Sequence, residues 1–318
     1  QALNSLILII AATLLGCQSP VSTPQGFSPT VIWDQQPVKA PDLEQKPIQF
    51  GLGPWYTQEH TELYTRPLLR YLEEQTGYPF VLNLSENYEE LVSNFENGHI
   101  DIADLSASLY DQLLEKSPGT SQYIATVSRP VGETMAGHYR GVIFTQKKRK
   151  IENLRELKGR TFAFVDRGSA SGFKYPLALL ISHGIEPRRD FSEIFYVGNH
   201  QGVVKAIATG QVFAGAVWDE ALIKAKLEFG DVFKQLAQTS PIPREAWVAQ
   251  TSMSPKRLAS IQAALTALKP HTRLASGEKV FPDSTQFSGY VIEPESFYKV
   301  VGKTTAVVNT YLEKYPAQ

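Results

Sequence analysis

Two stretches of this chain repeat each other without a gap. One runs Asn87-Tyr88-Glu89-Glu90-Leu91-Val92-Ser93-Asn94-Phe95-Glu96-Asn97-Gly98-His99-Ile100-Asp101-Ile102, and the other runs from Asn199-His200-Gln201 through Gly210 to Ala214. Asn87 pairs with Asn199, Val92 with Val204 and Gly98 with Gly210. Leu91, Phe95, Ile100 and Ile102 pair with Val203, Ile207, Val212 and Ala214. Each stretch reads as a short amphipathic helix, a glycine stop and a buried strand. Any two helix–strand units share apolar spacing, but shared spacing does not place Asn and Gly in register. The repeat therefore predicts two similar lobes that present Tyr88 and His200 at equivalent loops.

The flanking sequence keeps the same alternation. Ile48-Gln49-Phe50-Gly51-Leu52 reads as a first strand. A helix carrying Leu63, Tyr64, Pro67, Leu68, Tyr71 and Leu72 on one face follows it, with Gly77 past the end. Phe80, Leu82 and Leu84 alternate as a strand, and strands and helices continue to about Trp218. This is the pattern of an α/β architecture with mainly parallel sheets. Further helices are expected around Leu258–Leu268 and from about Pro294 to Tyr315.

One loop in this series carries chemistry. Asp166-Arg167-Gly168-Ser169-Ala170-Ser171-Gly172-Phe173 lies between the strand-like Thr161–Val165 and a helix-like run from Lys174 to His183. A Gly/Ser loop at a helix N-terminus offers backbone N–H groups and hydroxyls at the positive end of the dipole, which suits an anion. The five residues from Gly168 to Gly172 fail as a nucleophile elbow, because the middle position is Ala170. Gly51-Leu52-Gly53 is not a dinucleotide loop, since Pro54 and Tyr56 break it. The six histidines show no metal-ligand spacing. The expectation is a binder with no metal or cofactor, not an enzyme.

The N-terminal region predicts where it acts. Leu3 to Leu15 is almost wholly apolar and runs into Leu14-Leu15-Gly16-Cys17, which reads as a secretory signal over residues 1–16 with a clipped start, since no Met or basic segment precedes it. The ending resembles a bacterial lipobox, which implies a lipidated Cys17. Cys17 is the one cysteine, so the remainder folds without disulfides or a cysteine metal cluster. Residues 17–47, with Pro20, Pro24, Pro29, Pro37, Pro41 and Pro47, read as a tether of roughly 30 Å that keeps a globular domain near a membrane. A net charge of −1 argues against a nucleic-acid partner and leaves anion capture to a local site.

Taken in order, four stretches resemble the phosphate/phosphite/phosphonate substrate-binding proteins of ABC importers, the PhnD-like family. They are Pro67–Gly77, Tyr88–Ala103, Gly168–Leu179 and Gly198–Asp219. The resemblance covers roughly residues 48 to 250 and implies a two-lobe periplasmic-binding-protein fold of type II with the ligand cleft between the lobes. Lobe 1 would comprise 48–145 plus 243–318 and lobe 2 would comprise 146–242, with crossovers near Tyr139–Thr145 and Ser240–Trp247 acting as hinges. It implies an extracytoplasmic protein, lipid-anchored, that hands a small phosphorus oxyanion to ABC permease subunits.

Ser169 and Ser171 match the family's Ser-Thr-Ser anion loop. Ala170 stands where relatives usually have Thr, which removes one hydroxyl and keeps one N–H. His200 matches the family's cleft histidine and can donate from a ring nitrogen, while Gln201 replaces a usual acid. Tyr88 and Tyr139 match tyrosines that touch ligand. Asp219 either faces the cleft, where it would demand a protonated ligand oxygen, or caps the helix that follows. Trp55, Ser106 and Ser108 fall on loops expected at the cleft rim. Asp104 stands where relatives often carry an apolar or aromatic residue, and the sequence assigns it no role. Two other readings stay open at this point: a periplasmic sensor subunit for a membrane kinase, and a receptor for a sulfonate or another oxyanion.

Overall fold

The computed structural model describes residues 46–54, 58–131, 134–281 and 289–316. Cys17, the tether and Trp55 lie outside the described residues.

The chain begins with β1 (Ile48–Leu52), α1 (Gln58–Thr76), β2 (Phe80–Leu84), α2 (Tyr88–Glu96), β3 (Ile102–Leu105) and α3 (Ala107–Lys116). A long strand, β4 (Ser121–Val131), is paired by β5 (Thr134–Ala136), and β6 (His138–Tyr139) leads into β7 (Gly141–Gln146). Then come β8 (Thr161–Phe164), α4 (Tyr175–Ser182), α5 (Pro187–Asp190), β9 (Glu193–Tyr196), α6 (His200–Ala208), β10 (Ala214–Trp218), α7 (Asp219–Phe229) and β11 (Phe233–Gln238). The chain returns through β12 (Ile242–Pro243) and β13 (Ala246–Gln250) to α8 (Pro255–Ala267), β14 (Gly289–Val291) and α9 (Lys299–Lys314).

These strands form two sheets of matching order. The first runs β2-β1-β3-β13-β4-β14 and the second β9-β8-β10-β7-β11. Each has a parallel trio, β2-β1-β3 or β9-β8-β10, built from strand–helix–strand units. The expectation of mainly parallel sheets holds for these trios only. Beyond them β13 lies antiparallel to β3 and β4, and β7 lies antiparallel to β10 and β11. Both of these strands enter from the opposite lobe, so they arrive against the direction set by the local units. The two crossings pair with each other as β6 and β12, with Tyr139 opposite Ile242.

The repeat seen in the sequence is a repeat of helix caps. Asn87 accepts from the Glu90 N–H at 2.9 Å, and Asn199 accepts from the Gly202 N–H at 2.8 Å. Both residues are extended and stand immediately before α2 and α6. Gly98 and Gly210, at φ +72° and +80°, turn the chain out of the two helices where an L side chain is strained. Leu91, Val92 and Phe95 are buried on α2, as are Val203, Val204 and Ile207 on α6. The middle strands β7 and β10 are buried on both faces, as their unbroken apolar runs require.

A single cluster of buried side chains continues from α2 and α3 through Tyr139 into α6 and α7, so the two lobes share a packed interior. Helix α9 packs against both lobes. Its Thr305 donates to Asp111 on α3 at 2.6 Å, and its Tyr311 hydroxyl accepts from the Arg188 N–H at 2.8 Å.

Candidate ligand cleft between the lobes

The anion loop departs from a plain helix start. Residues Ala170–Lys174 form one π-helical turn ahead of α4, with N–H groups reaching five residues back: Lys174 to the Ser169 carbonyl at 3.0 Å, and Tyr175 to the Ala170 carbonyl. Ser169 caps the turn by accepting from the Gly172 N–H at 3.0 Å. Its hydroxyl proton stays available to donate. Among the described residues the N–H groups of Ala170 and Ser171 find no hydrogen-bond acceptor. A widened turn therefore presents two N–H groups and two serine hydroxyls in one place, which is the donor set a tetrahedral oxyanion takes.

These donors open into a cavity of about 130 Å³ that Tyr88, Tyr139, Ser106, Ser169, Ala170, Ser171 and His200 help to line. Tyr88 is the first residue of α2 and comes beside the Ser169 side chain, while Tyr139 comes beside the Ser171 side chain from the hinge. Burial pushes both phenols above their ordinary range, so they remain donors. Gly168 makes the approach of the lobes possible. A Cβ there would come within 2.5 Å of the Tyr88 Cβ. The Gly168 carbonyl also accepts from the hydroxyls of Ser106 at 3.2 Å and Ser108 at 2.7 Å.

His200 opens α6 and is buried. Its Nδ1 accepts from the Trp218 N–H at 3.4 Å, which leaves the proton of the neutral ring on Nε2. Burial pushes its pKa down to about 3, so the ring is neutral at physiological pH and donates from Nε2. The donors facing the oxyanion position are thus all uncharged.

Two sequence-predicted residues are not in the lining. Ser108 is wholly buried and spends its hydroxyl on Gly168. Asp219 starts α7, where it accepts from the Glu220 N–H at 3.0 Å and from the Arg140 N–H at 3.2 Å. Its neighbour Trp218, the last residue of β10, is the one that lines the cavity.

The lining also holds charged residues to which sequence reasoning gave no place: Asp104, Arg129 and Glu245. They lie on β3, on β4 and at the entry to β13, strands brought together by the crossovers. Arg129 pairs with Glu220 of α7 and stacks over the Trp218 ring, with its guanidinium carbon 4.9 Å from the centroid. Arg244, 3% exposed at its side chain, reaches the other oxygen of Glu220 at 2.5 Å. Burial raises the Glu220 carboxyl, but the two guanidinium groups outweigh it and hold the pKa low. The three residues tie β4 and the returning hinge strand to the start of α7.

Two sheets of the same strand order, joined by a double crossing and enclosing an oxyanion-type donor set, define a two-lobe periplasmic binding protein of type II. The chain belongs to the family of periplasmic substrate-binding proteins of phosphonate ABC transporters, which matches residues 50–293. It is 25% identical over 200 residues to the phosphate-import protein PhnD of Mycolicibacterium smegmatis, in a match that takes in 60% of this chain and 62% of that protein, less than two thirds of its length. Its fold is similar to that of PhnD1 from Prochlorococcus marinus in complex with methylphosphonate, with a TM-score of 0.71, 17% identity, and 83% of this chain and 98% of that one covered. It is also similar to a binding-protein component of an ABC phosphonate transporter from Pseudomonas aeruginosa, with a TM-score of 0.69, 17% identity, and coverage of 84% and 88%.

Proposed function

We propose that this protein captures a small phosphorus oxyanion (phosphate, phosphite or a phosphonate) outside the cytoplasm and delivers it to the permease of an ABC importer. The observation that carries this reading is the convergence on one cavity of the π-turn N–H groups, the Ser169 and Ser171 hydroxyls, Tyr88, Tyr139 and the Nε2 donor of His200. Five or more neutral donors around a pocket bind a tetrahedral anion without a paired cation, each charge-assisted bond contributing about 1.5–3 kcal/mol. The phosphate-import relative and the methylphosphonate-bound relative agree with this class. In this reading the protein binds its ligand and releases it unchanged.

Lobe 1 then consists of residues 48–145 with 243–318 and lobe 2 of 146–242, closing on the ligand about the β6/β12 crossing. Cys17 supplies a lipid anchor and residues 18–47 the tether. Among the described residues no helix is long and apolar enough to cross a membrane. Isothermal titration with phosphate, phosphite, methylphosphonate and sulfate tests the reading. Binding of at least one phosphorus anion is expected, and no heat with any of the four at ~1 mM, equivalent to about −4 kcal/mol, overturns it.

A further inference from the structure

The edge of the second sheet that faces away from the cavity carries a charge that the chain as a whole does not have. Residues 147–160 hold seven basic side chains and two acidic ones, in a chain of net charge −1. Strand register gathers several of them. β7 ends at Gln146 opposite Phe233, the first residue of β11, and its Thr145 stands opposite Ala214 at the start of β10. Trp218, at the other end of β10, lines the cavity. The turn Lys147–Lys150, Phe213 and Val232 therefore leave the sheet together at its far pole. The guanidinium groups of Arg149 and Arg160 both lie over the Phe213 ring, 4.9 and 5.0 Å from its centroid. Among the described residues neither of them, nor Lys148 or Lys150, pairs with a carboxylate.

The same pole exposes apolar side chains. Helix α7 runs back from Trp218 and ends there, with Leu227 83% exposed and Ile223, one turn earlier on the same face, 60% exposed. Phe229 and Val232 follow, both exposed. The ridge is held in place from beneath. Phe229 packs on the buried Phe233 with ring centroids 6.1 Å apart, and the Val232 carbonyl accepts from the Lys147 N–H at 2.8 Å. That last bond joins the apolar ridge to the basic turn, and Lys147 also pairs with Asp231 beside it.

A contiguous apolar ridge is unfavourable in water unless something covers it. Protruding Leu and Phe side chains beside long flexible cations match the boundary of an anionic bilayer, where lipid phosphates meet acyl chains. We infer that this pole rests on the surface of an anionic phospholipid bilayer, with Leu227, Phe229 and Val232 entering the headgroup boundary and Lys148, Arg149 and Lys150 meeting lipid phosphates. The contact lies at the opposite end of the sheet from the cavity and does not depend on the oxyanion reading.

Co-sedimentation of the full chain with vesicles of phosphatidylcholine alone, or of an equal mixture with phosphatidylglycerol, tests the contact. The chain carries Cys17→Ser, so that no acyl chain contributes. The mixed vesicles are expected to bind about tenfold more tightly, with the excess lost at high salt. Lys148→Glu combined with Lys150→Glu is expected to abolish that excess, and Leu227→Ser to weaken binding to the mixed vesicles about fivefold. All three side chains are exposed, so both variants are expected to keep the parent's melting temperature and its oxyanion affinity. Equal binding to the two kinds of vesicle, or binding to the mixed vesicles that neither variant weakens, overturns the inference and leaves the oxyanion reading standing. Self-association of the parent that Leu227→Ser disperses also overturns it, by assigning the ridge to a second copy of the chain.

Discussion

Helices α2 and α6 begin alike and deliver different chemistry. Both start on an asparagine cap, both place their first residue in the cavity, and both leave through a left-handed glycine. Tyr88 uses that position to reach the opposite lobe, at Ser169, whereas His200 is held within its own lobe by the Trp218 N–H. The difference extends to the lobes as wholes. The second lobe brings neutral donors on the π-turn and α6. The first lobe, with the returning strand, brings the charged groups Asp104, Arg129 and Glu245. A shared backbone frame thus sets positions, and the side chains differ, so that neutral donors from one lobe and charged groups from the other line one cavity.

The largest expected effect that sharpens this contrast is on acid stability. His200 has its pKa lowered from 6.5 to about 3 in the fold, so between those values the unfolded chain binds the extra proton. Its contribution to stability is complete above pH 6.5 and is lost as pH falls toward 3, at a slope approaching ~1.4 kcal/mol per pH unit. Tyr88, the equivalent residue, does not titrate there. Denaturant midpoints measured from pH 7 to pH 4 are expected to fall less steeply in His200→Gln than in the parent. Identical slopes would mean that the ring is not buried as a neutral donor.

A smaller effect separates the loop's two possible duties. Ser171→Ala removes one hydroxyl donor and is expected to weaken oxyanion binding by about 1.5–3 kcal/mol with little change in melting temperature. Unchanged affinity would reduce the loop to a helix start. Smallest are the caps. Asn87→Ala and Asn199→Ala should each cost about 1 kcal/mol of stability, equally in the two lobes. A cost confined to one of them would break the equivalence of α2 and α6.

What the sequence made legible was what is local. The caps, the glycine exits and the serine loop depend on residues within a few positions of one another, so spacing alone exposes them. The π-turn was not legible, because one extra residue in a helical turn leaves the apolar pattern of Lys174–His183 intact. Trp218 and Asp219 are adjacent, and deciding which faces the cavity depends on where β10 ends, a boundary set by pairing with β7. Arg129, Glu245 and Asp104 are far apart along the chain and meet only because β13 inserts between β3 and β4. Asp104 showed itself in the sequence as an unexplained residue, and its neighbours did not show themselves at all.

The proposed function places the ligand's oxyanion on the π-turn between the lobes. A crystal structure with methylphosphonate tests it most directly. The account predicts phosphonate oxygens within about 3 Å of the Ser169 and Ser171 hydroxyls and the Ala170 N–H, with the Tyr88 hydroxyl and His200 Nε2 closing the shell. A phosphonate bound away from that turn, with the two serines still engaged only in capping and in their tyrosine contacts, would contradict it.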